Sequence, residues 1–195
     1  VGVDLPTARG RERVDAINAG RFPFETSDDE LNVAIQQCHA RGNLRASTDP
    51  AEYADCNVAI VDVHLDVDFD SHPPVAKFEG FLSAIRTLGR FIAADTLVIV
   101  ETTVPPGTTE KIVVPELKAA LAARGLPSDE VLVAHSYERV MPGPGYLNSI
   151  TNFWRVYAGH TPAAADACQR VLERVVNVKE YPLTRLKRTS DSEVA

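Results

Sequence analysis

Leu97-Val98-Ile99-Val100-Glu101-Thr102-Thr103-Val104-Pro105-Pro106-Gly107-Thr108-Thr109-Glu110-Lys111 decides how the rest of the chain reads. Leu97 to Val100 is a short, mostly β-branched apolar run of the kind that forms a strand buried on both faces. Glu101, Thr102 and Thr103 place polar side chains at its carboxyl end. Pro105 and Pro106 cannot extend a ladder, Gly107 permits a sharp turn, and Thr108 is a good helix N-cap. Ile112, Val113, Leu117, Ala120 and Leu121 then share one stripe of a helix ending near Gly125. This is one unit of an open α/β sheet, whose ligands bind at the carboxyl ends of the strands.

The flanking sequence repeats the alternation. Val1-Gly2-Val3-Asp4 reads as the end of a strand closing on an acid. Arg11 to Ala19 predicts a short helix with Val14 and Ile17 inward, stopped by Gly20. Ser27-Asp28-Asp29-Glu30 matches a capping box, Ser27 at the N-cap and Glu30 at N3, before a helix Leu31 to Ala40 that Gly42 ends. Leu44 to Thr48 reads as a short strand, and Asp49-Pro50 as the start of a helical turn to Ala54. Asn57 to Val63 predicts a strand buried through Val58, Ile60, Val61 and Val63. A helix from Val75 to about Ala93 follows Pro73-Pro74, with Phe78, Phe81, Leu82, Ile85, Leu88 and Ile92 at helical spacing. Val131 to Ala134 and Arg155 to Gly159 read as strands, and Thr161 caps a helix Ala163 to Val175. Val178 to Pro182 reads as a last strand, and Ser190-Asp191-Ser192-Glu193 as a second capping box opening a helix. The pattern argues for an α/β fold, a Rossmann-type parallel sheet with helices on both faces.

The totals narrow the class. With 195 residues the chain buries about 70% of its unfolded surface, enough for one domain, or one domain with an appendage. Its 45% hydrophobic and 24% charged content is that of an ordinary globular protein. A net charge of −7 argues against nucleic acid as a partner. The 3 cysteines, Cys38, Cys56 and Cys168, have no metal spacing and leave one unpaired in any disulfide scheme, which fits a reducing cytoplasm. Without a long apolar run, no membrane partner is expected. The acidic run Asp62, Asp66, Asp68, Asp70 lacks the Gly and distal Glu of a calcium loop and reads as a solvated loop, so no metal is expected.

Glu101 to Thr109 resembles the signature loop of the UDP-glucose/GDP-mannose dehydrogenases, a family that oxidises nucleotide sugars at C6 with NAD. Ser136-Tyr137-Glu138-Arg139-Val140-Met141-Pro142-Gly143 resembles a second family block. Asn18-Ala19-Gly20 with Pro23, Thr48 to Val58, and Arg155 to Gly159 also resemble family segments. Two places depart from the pattern. His64-Leu65 stands where a Pro-Thr or Gln-Thr pair is usual, and Tyr137 replaces the proline of Ser-Pro-Glu.

The resemblance implies NAD as cofactor and a nucleotide sugar as substrate. It implies catalytic roles for Thr103, which positions water or the nicotinamide side, and for Glu138, which assists hydrolysis of the acyl-enzyme. Asp4 becomes the candidate receiver of the adenosine ribose hydroxyls, and Arg9 or Arg11 the candidate for a phosphate contact. Asn148 to Phe153 lies where family members place a substrate-facing loop. The glycine-rich phosphate loop is expected before Val1, and the family's Lys, Asn and Cys after Ala195. Residues 1–187 then form a partial NAD-binding domain, lacking its first strand, and residues 188–195 start a helix leading to further domains. The chain is expected to be a fragment, with the full protein a homodimer or higher homo-oligomer. Losing that central strand is expected to leave the Asp4 and Val58 strands without a neighbour between them and the Val98 strand. Two other readings stay open: a non-catalytic remnant that binds nucleotide or dimerises, and another Rossmann oxidoreductase such as a β-hydroxyacid dehydrogenase.

Overall fold

The computed structural model describes all 195 residues, Val1 to Ala195. In chain order the first elements are β1 (Gly2–Val3), α1 (Ala8–Asn18), α2 (Asp29–Ala40) and β2 (Ala46–Ser47), then a 3-10 turn Pro50–Asp55. Next come β3 (Val58–Val61), β4 (Asp66–Asp68), β5 (Val75–Lys77), α3 (Glu79–Gly89) and β6 (Leu97–Val100). A π-helical turn, Thr109–Val113, runs into α4 (Val114–Ala123). β7 (Val133–His135), α5 (Tyr146–Thr151), β8 (Val156–Gly159), α6 (Pro162–Val175), β9 (Thr184–Arg185) and α7 (Thr189–Ser192) complete the chain. The residues form two compact units, 1–52 with 139–151, and 53–138 with 152–195. No helix is long and apolar enough to cross a membrane.

In the first unit β1 and β2 pair in parallel, Gly2 opposite Ala46 and Val3 opposite Ser47. α1 starts earlier than the hydrophobic spacing predicted, because Thr7 caps it and its hydroxyl accepts the Gly10 amide. The cap of α2 is Asp28 rather than Ser27. Its Oδ1 accepts the Leu31 amide at 2.9 Å and its Oδ2 the Leu147 amide at 2.8 Å, so one buried carboxylate satisfies two separate helix starts. Those amide donors, Leu31 first, hold its carboxyl below the usual range. Residues 148–151 of the expected substrate-facing loop are helical, in α5.

The second unit is organised by a five-stranded sheet in the order β3-β6-β7-β8-β9. β3, β6 and β7 run parallel, with Val58 opposite Leu97 and Val98 opposite Val133. β8 pairs antiparallel to β7, so the sheet is not wholly parallel. The Val58 strand therefore lies directly against the Val98 strand, and the expected gap is not between them. Only β6 pairs with β3. Its other edge is open, and Val58 and Ile60 are 37% and 54% exposed rather than buried. Ala59 and Val61 point to the opposite, covered face, as the two-residue period of a strand requires.

That covered face carries the larger core. Phe81, Ile85, Leu88 and Ile92 pack with Val98, Val100, Val113, Val114, Leu117 and Leu121. Each such side chain contributes on the order of 2 kcal/mol by leaving water. The π-helical turn advances the phase by one residue, which is why adjacent Val113 and Val114 are both buried. α3 meets α4 at Gly89, where an added Cβ would stand 2.6 Å from the Ala120 Cβ. On the other face Leu97, Ile99, Ala134 and Tyr157 pack on Ala165, Cys168 and Leu172 of α6.

The helix predicted from Val75 does not begin there. Val75–Lys77 is a strand that pairs antiparallel with Asp66–Asp68, and α3 starts at Glu79. Tertiary pairing overrides helical spacing here: Pro73-Pro74 lies in the turn between the two strands of the hairpin, and the helix starts only after its second strand. The last strand is Thr184–Arg185 rather than Val178 to Pro182. The last helix starts at Thr189, and the Arg188 amide bonds to Asp191 Oδ2, so Ser190 is not its cap.

Candidate active site

β3, β6 and β7 end on the same side because they are parallel, and their polar tips enclose a cleft of about 620 Å³. Glu101, Thr102 and Thr103 follow β6, Glu138 comes three residues after β7, and Asp62 and His64 follow β3. Leu65, Val67 and Ala76 of the β4–β5 hairpin line the remaining wall. The cleft lies wholly within the second unit.

Each tip is held by specific bonds. Thr102 is buried, its hydroxyl accepting the Val63 amide at 3.0 Å and donating to the Val63 carbonyl at 2.9 Å, which joins the ends of β3 and β6. Its neighbour Thr103 is exposed to the cleft. Arg155 is 2% exposed, and its Nη1 donates to Glu101 Oε1 at 3.2 Å and to the Tyr137 carbonyl. One guanidinium thus ties the signature loop to the segment carrying Glu138. A buried cation so placed replaces lost hydration by charge-assisted bonds.

The carboxylates feel one another. Burial is the main cause that raises the Glu101 carboxyl; Arg155 opposes it, and the Asp62 and Glu138 charges add to it. Asp62 is raised by desolvation first and by Glu138 second, although its side chain keeps contact with solvent. Beneath the loops His135 is fully buried, and burial pushes its imidazole down to about 4. Its Nδ1 lies 2.8 Å from Ser192 Oγ, and its ring meets Tyr137 edge-on with centroids 4.6 Å apart.

Of the residues singled out in the sequence, Thr103 and Glu138 come together in this cleft. Asp4 and Arg9 belong to the first unit. Asp4 follows β1, its Oδ1 accepting the Leu5 amide and its Oδ2 pairing with Arg13 at 3.2 Å. Arg9 is exposed on α1. Arg11 donates to the Pro6 carbonyl, so Arg13, which the sequence reading passed over, is the cation beside Asp4. His64 hydrogen-bonds to Asp66 and Lys77 pairs with Asp68, so two acids of the acidic run are engaged by surface partners. Cys168 is fully buried with its thiol pushed up to about 12, and burial also raises Cys56; neither is disposed to act as a thiolate nucleophile.

Sequence reasoning missed Glu101 and Arg155 as a pair, and it missed His135, Ser192 and Glu193. Glu101 was visible at a strand tip. Its cation lies 54 residues along the chain, and no spacing rule reaches that far.

Residues 1–176 match the family model for the NAD binding domain of the UDP-glucose/GDP-mannose dehydrogenases. The chain belongs to this family. The matched domain is the family's NAD-binding domain, and NAD is its cofactor. Among curated relatives, an NDP-N-acetyl-D-galactosaminuronic acid dehydrogenase from Ralstonia nicotianae is 29% identical over 181 residues, covering 90% of this chain and 40% of the relative. A UDP-N-acetyl-D-mannosamine dehydrogenase from Escherichia coli is 30% identical over 169 residues, covering 85% and 37%. A UDP-D-ManNAc dehydrogenase structure from Pyrococcus horikoshii superposes with a TM-score of 0.82 at 25% identity, covering 99% of this chain and 42% of that one. An NDP-N-acetyl-D-galactosaminuronic acid dehydrogenase structure from Methanosarcina mazei gives 0.85 at 20% identity, covering 99% and 39%, and shares the fold. The chain spans about two-fifths of the length of these relatives.

The cleft fits the nicotinamide end of the family's cofactor. Its volume lies in the usual range for small-ligand sites. Asp62 and Glu138 on its lining would complement the positive charge of an oxidised pyridinium ring, while Glu101 is already paired with Arg155.

Proposed function

We propose that the protein containing this chain oxidises a nucleotide sugar of the UDP-hexose type at C6, from alcohol to carboxylate. The observation that supports this most directly is that Thr103 and Glu138 line one cleft at the carboxyl ends of adjacent parallel strands. NAD supplies the hydride acceptor for each of the two oxidations. Thr103, exposed beside the buried and anchored Thr102, orients water or the nicotinamide side through its hydroxyl. Glu138 assists the hydrolysis that releases the acid, a general acid–base task for which its side chain lines the cleft with Thr103. The thiol that captures the aldehyde comes from outside this stretch of chain: burial raises Cys56 and Cys168, and Cys38 lies on α2 in the first unit, which does not contain the cleft. Asp4 receives the adenosine ribose hydroxyls, and Arg13 sets its carboxylate. Residues 1–187 and 188–195 keep the roles read from the sequence, and the full protein is a homo-oligomer.

The test is to follow NADH formation by the full-length protein with UDP-glucose, UDP-N-acetylglucosamine, UDP-N-acetylmannosamine, UDP-N-acetylgalactosamine and GDP-mannose. Two NADH per sugar oxidised is the expected stoichiometry for one of them. No turnover with any would sink the proposal. Asp4→Ala should weaken NAD binding about tenfold and leave turnover at saturating NAD unchanged. An unaltered dissociation constant would remove its ribose role.

A further inference from the structure

Helix Thr109–Ala123 begins without a local cap. Thr108 already has helical backbone angles, and its hydroxyl turns back to donate to the Pro105 carbonyl at 2.6 Å. The exposed-end amides of a buried helix start need acceptors. They find them on Glu193, more than eighty residues along the chain. Glu193 Oε1 accepts the Thr109 amide at 2.7 Å and Oε2 accepts the Gly107 amide. The side chain is 4% exposed, so these are charge-assisted bonds at the positive end of a helix, shielded from water.

The same residue reaches the other loop. The Tyr137 hydroxyl donates to the Glu193 carbonyl, while the Tyr137 carbonyl receives Arg155. Tyr137 precedes Glu138 directly and stands where the family pattern has proline. Proline restrains its segment through its ring. Tyrosine here restrains it through a tether at each end. Ser192 adds a contact to His135 at the end of β7.

We propose that Glu193 is a positioning residue, which sets the loops bearing Thr103 and Glu138 in register from outside the cleft, with Tyr137 as its arm. This rests on the dehydrogenase reading above. Glutamine at 193 keeps the shape but offers one acceptor oxygen and turns an NH₂ toward an amide donor. The test compares full-length wild type, Glu193→Gln, Tyr137→Phe and, as a control for general destabilisation, Val171→Ala on α6. The readouts are kcat and KM, melting temperature, and amide hydrogen exchange in segments 105–112 and 135–141.

Glu193→Gln should lower kcat about tenfold or more, leave the KM for NAD within about twofold, and speed exchange in 105–112. Tyr137→Phe should speed exchange in 135–141 with a smaller loss of kcat. The proposal is overturned if Glu193→Gln keeps kcat within about twofold, or if Val171→Ala loses as much kcat for the same drop in melting temperature. Should wild type oxidise no nucleotide sugar, the functional reading fails separately. Exchange then decides the clamp alone, and unchanged rates in both segments overturn it.

Discussion

The two walls of the cleft are built by different physics. The signature-loop wall is fastened by buried, long-range bonds: Thr102 to Val63, Arg155 to Glu101 and Tyr137, Glu193 to Gly107 and Thr109. The hairpin wall is fastened by a three-residue ladder, an exposed His64–Asp66 hydrogen bond and an exposed Lys77–Asp68 ion pair. Its tip carries Phe69 at 75% exposure, with Val67 and Val75 also open to solvent. The residues proposed for the reaction, Thr103 and Glu138, thus sit on the wall with few alternatives, while the wall that departs from the family pattern at His64-Leu65 is held weakly. Screening explains the contrast: a surface pair contributes about 0–1 kcal/mol, whereas breaking a buried one costs several.

The largest break should come from Arg155→Leu. It leaves Glu101 buried without its cation and removes the Arg155 bond to the Tyr137 carbonyl, so denaturant titration should show a loss of about 3–5 kcal/mol. Adding Glu101→Gln should recover part of it, and a neutral single variant would mean that the two walls are not held differently. His135 sharpens the same point through pH. The unfolded imidazole takes up a proton below about 6.5, whereas the folded one resists until about 4. Its contribution is therefore complete above 6.5 and is lost as pH falls toward 4, by about 3 kcal/mol over that window. Urea midpoints of His135→Gln across that range should fall less steeply than those of wild type; parallel curves would count against this assignment.

Catalytic effects come next in free energy. Thr103→Ala and Glu138→Gln should each lower turnover about 100-fold while NAD binding changes little, measured by steady-state kinetics alongside calorimetry. Near-normal turnover in both would detach the chemistry from the signature wall. The smallest effect is expected on the hairpin. Lys77→Ala should move stability by less than about 0.5 kcal/mol and disappear into error at high salt. A loss as large as that of Arg155→Leu would erase the distinction between the walls.

The strand Leu97–Val100 and the stripe of α3 were legible because burial on both faces, or on one, writes itself into residue order. The acids and threonines at the strand tip were legible for the same reason, since a run of nine residues is read without knowing what folds onto it. Where the reading failed, the deciding partner was distant. Thr108 is a good cap by type, but Glu193 takes the amides. Val75 has helical spacing behind it, but Asp66–Asp68 claims it as a strand. Ile60 is apolar, yet it points to the face of β3 opposite the covered one, where its side chain stays exposed.

Residue order alone thus determined the α/β class, the family and the two loops that carry Thr103 and Glu138, because local periodicity and short motifs are properties of neighbours in the chain. Only the tertiary structure decided that Arg155, Tyr137 and Glu193 fasten those loops together, that Arg13 is the partner of Asp4, and that His135 is kept neutral. A buried charge or amide must be satisfied by whatever group the fold brings within about 3 Å, and sequence distance puts no limit on which group that is.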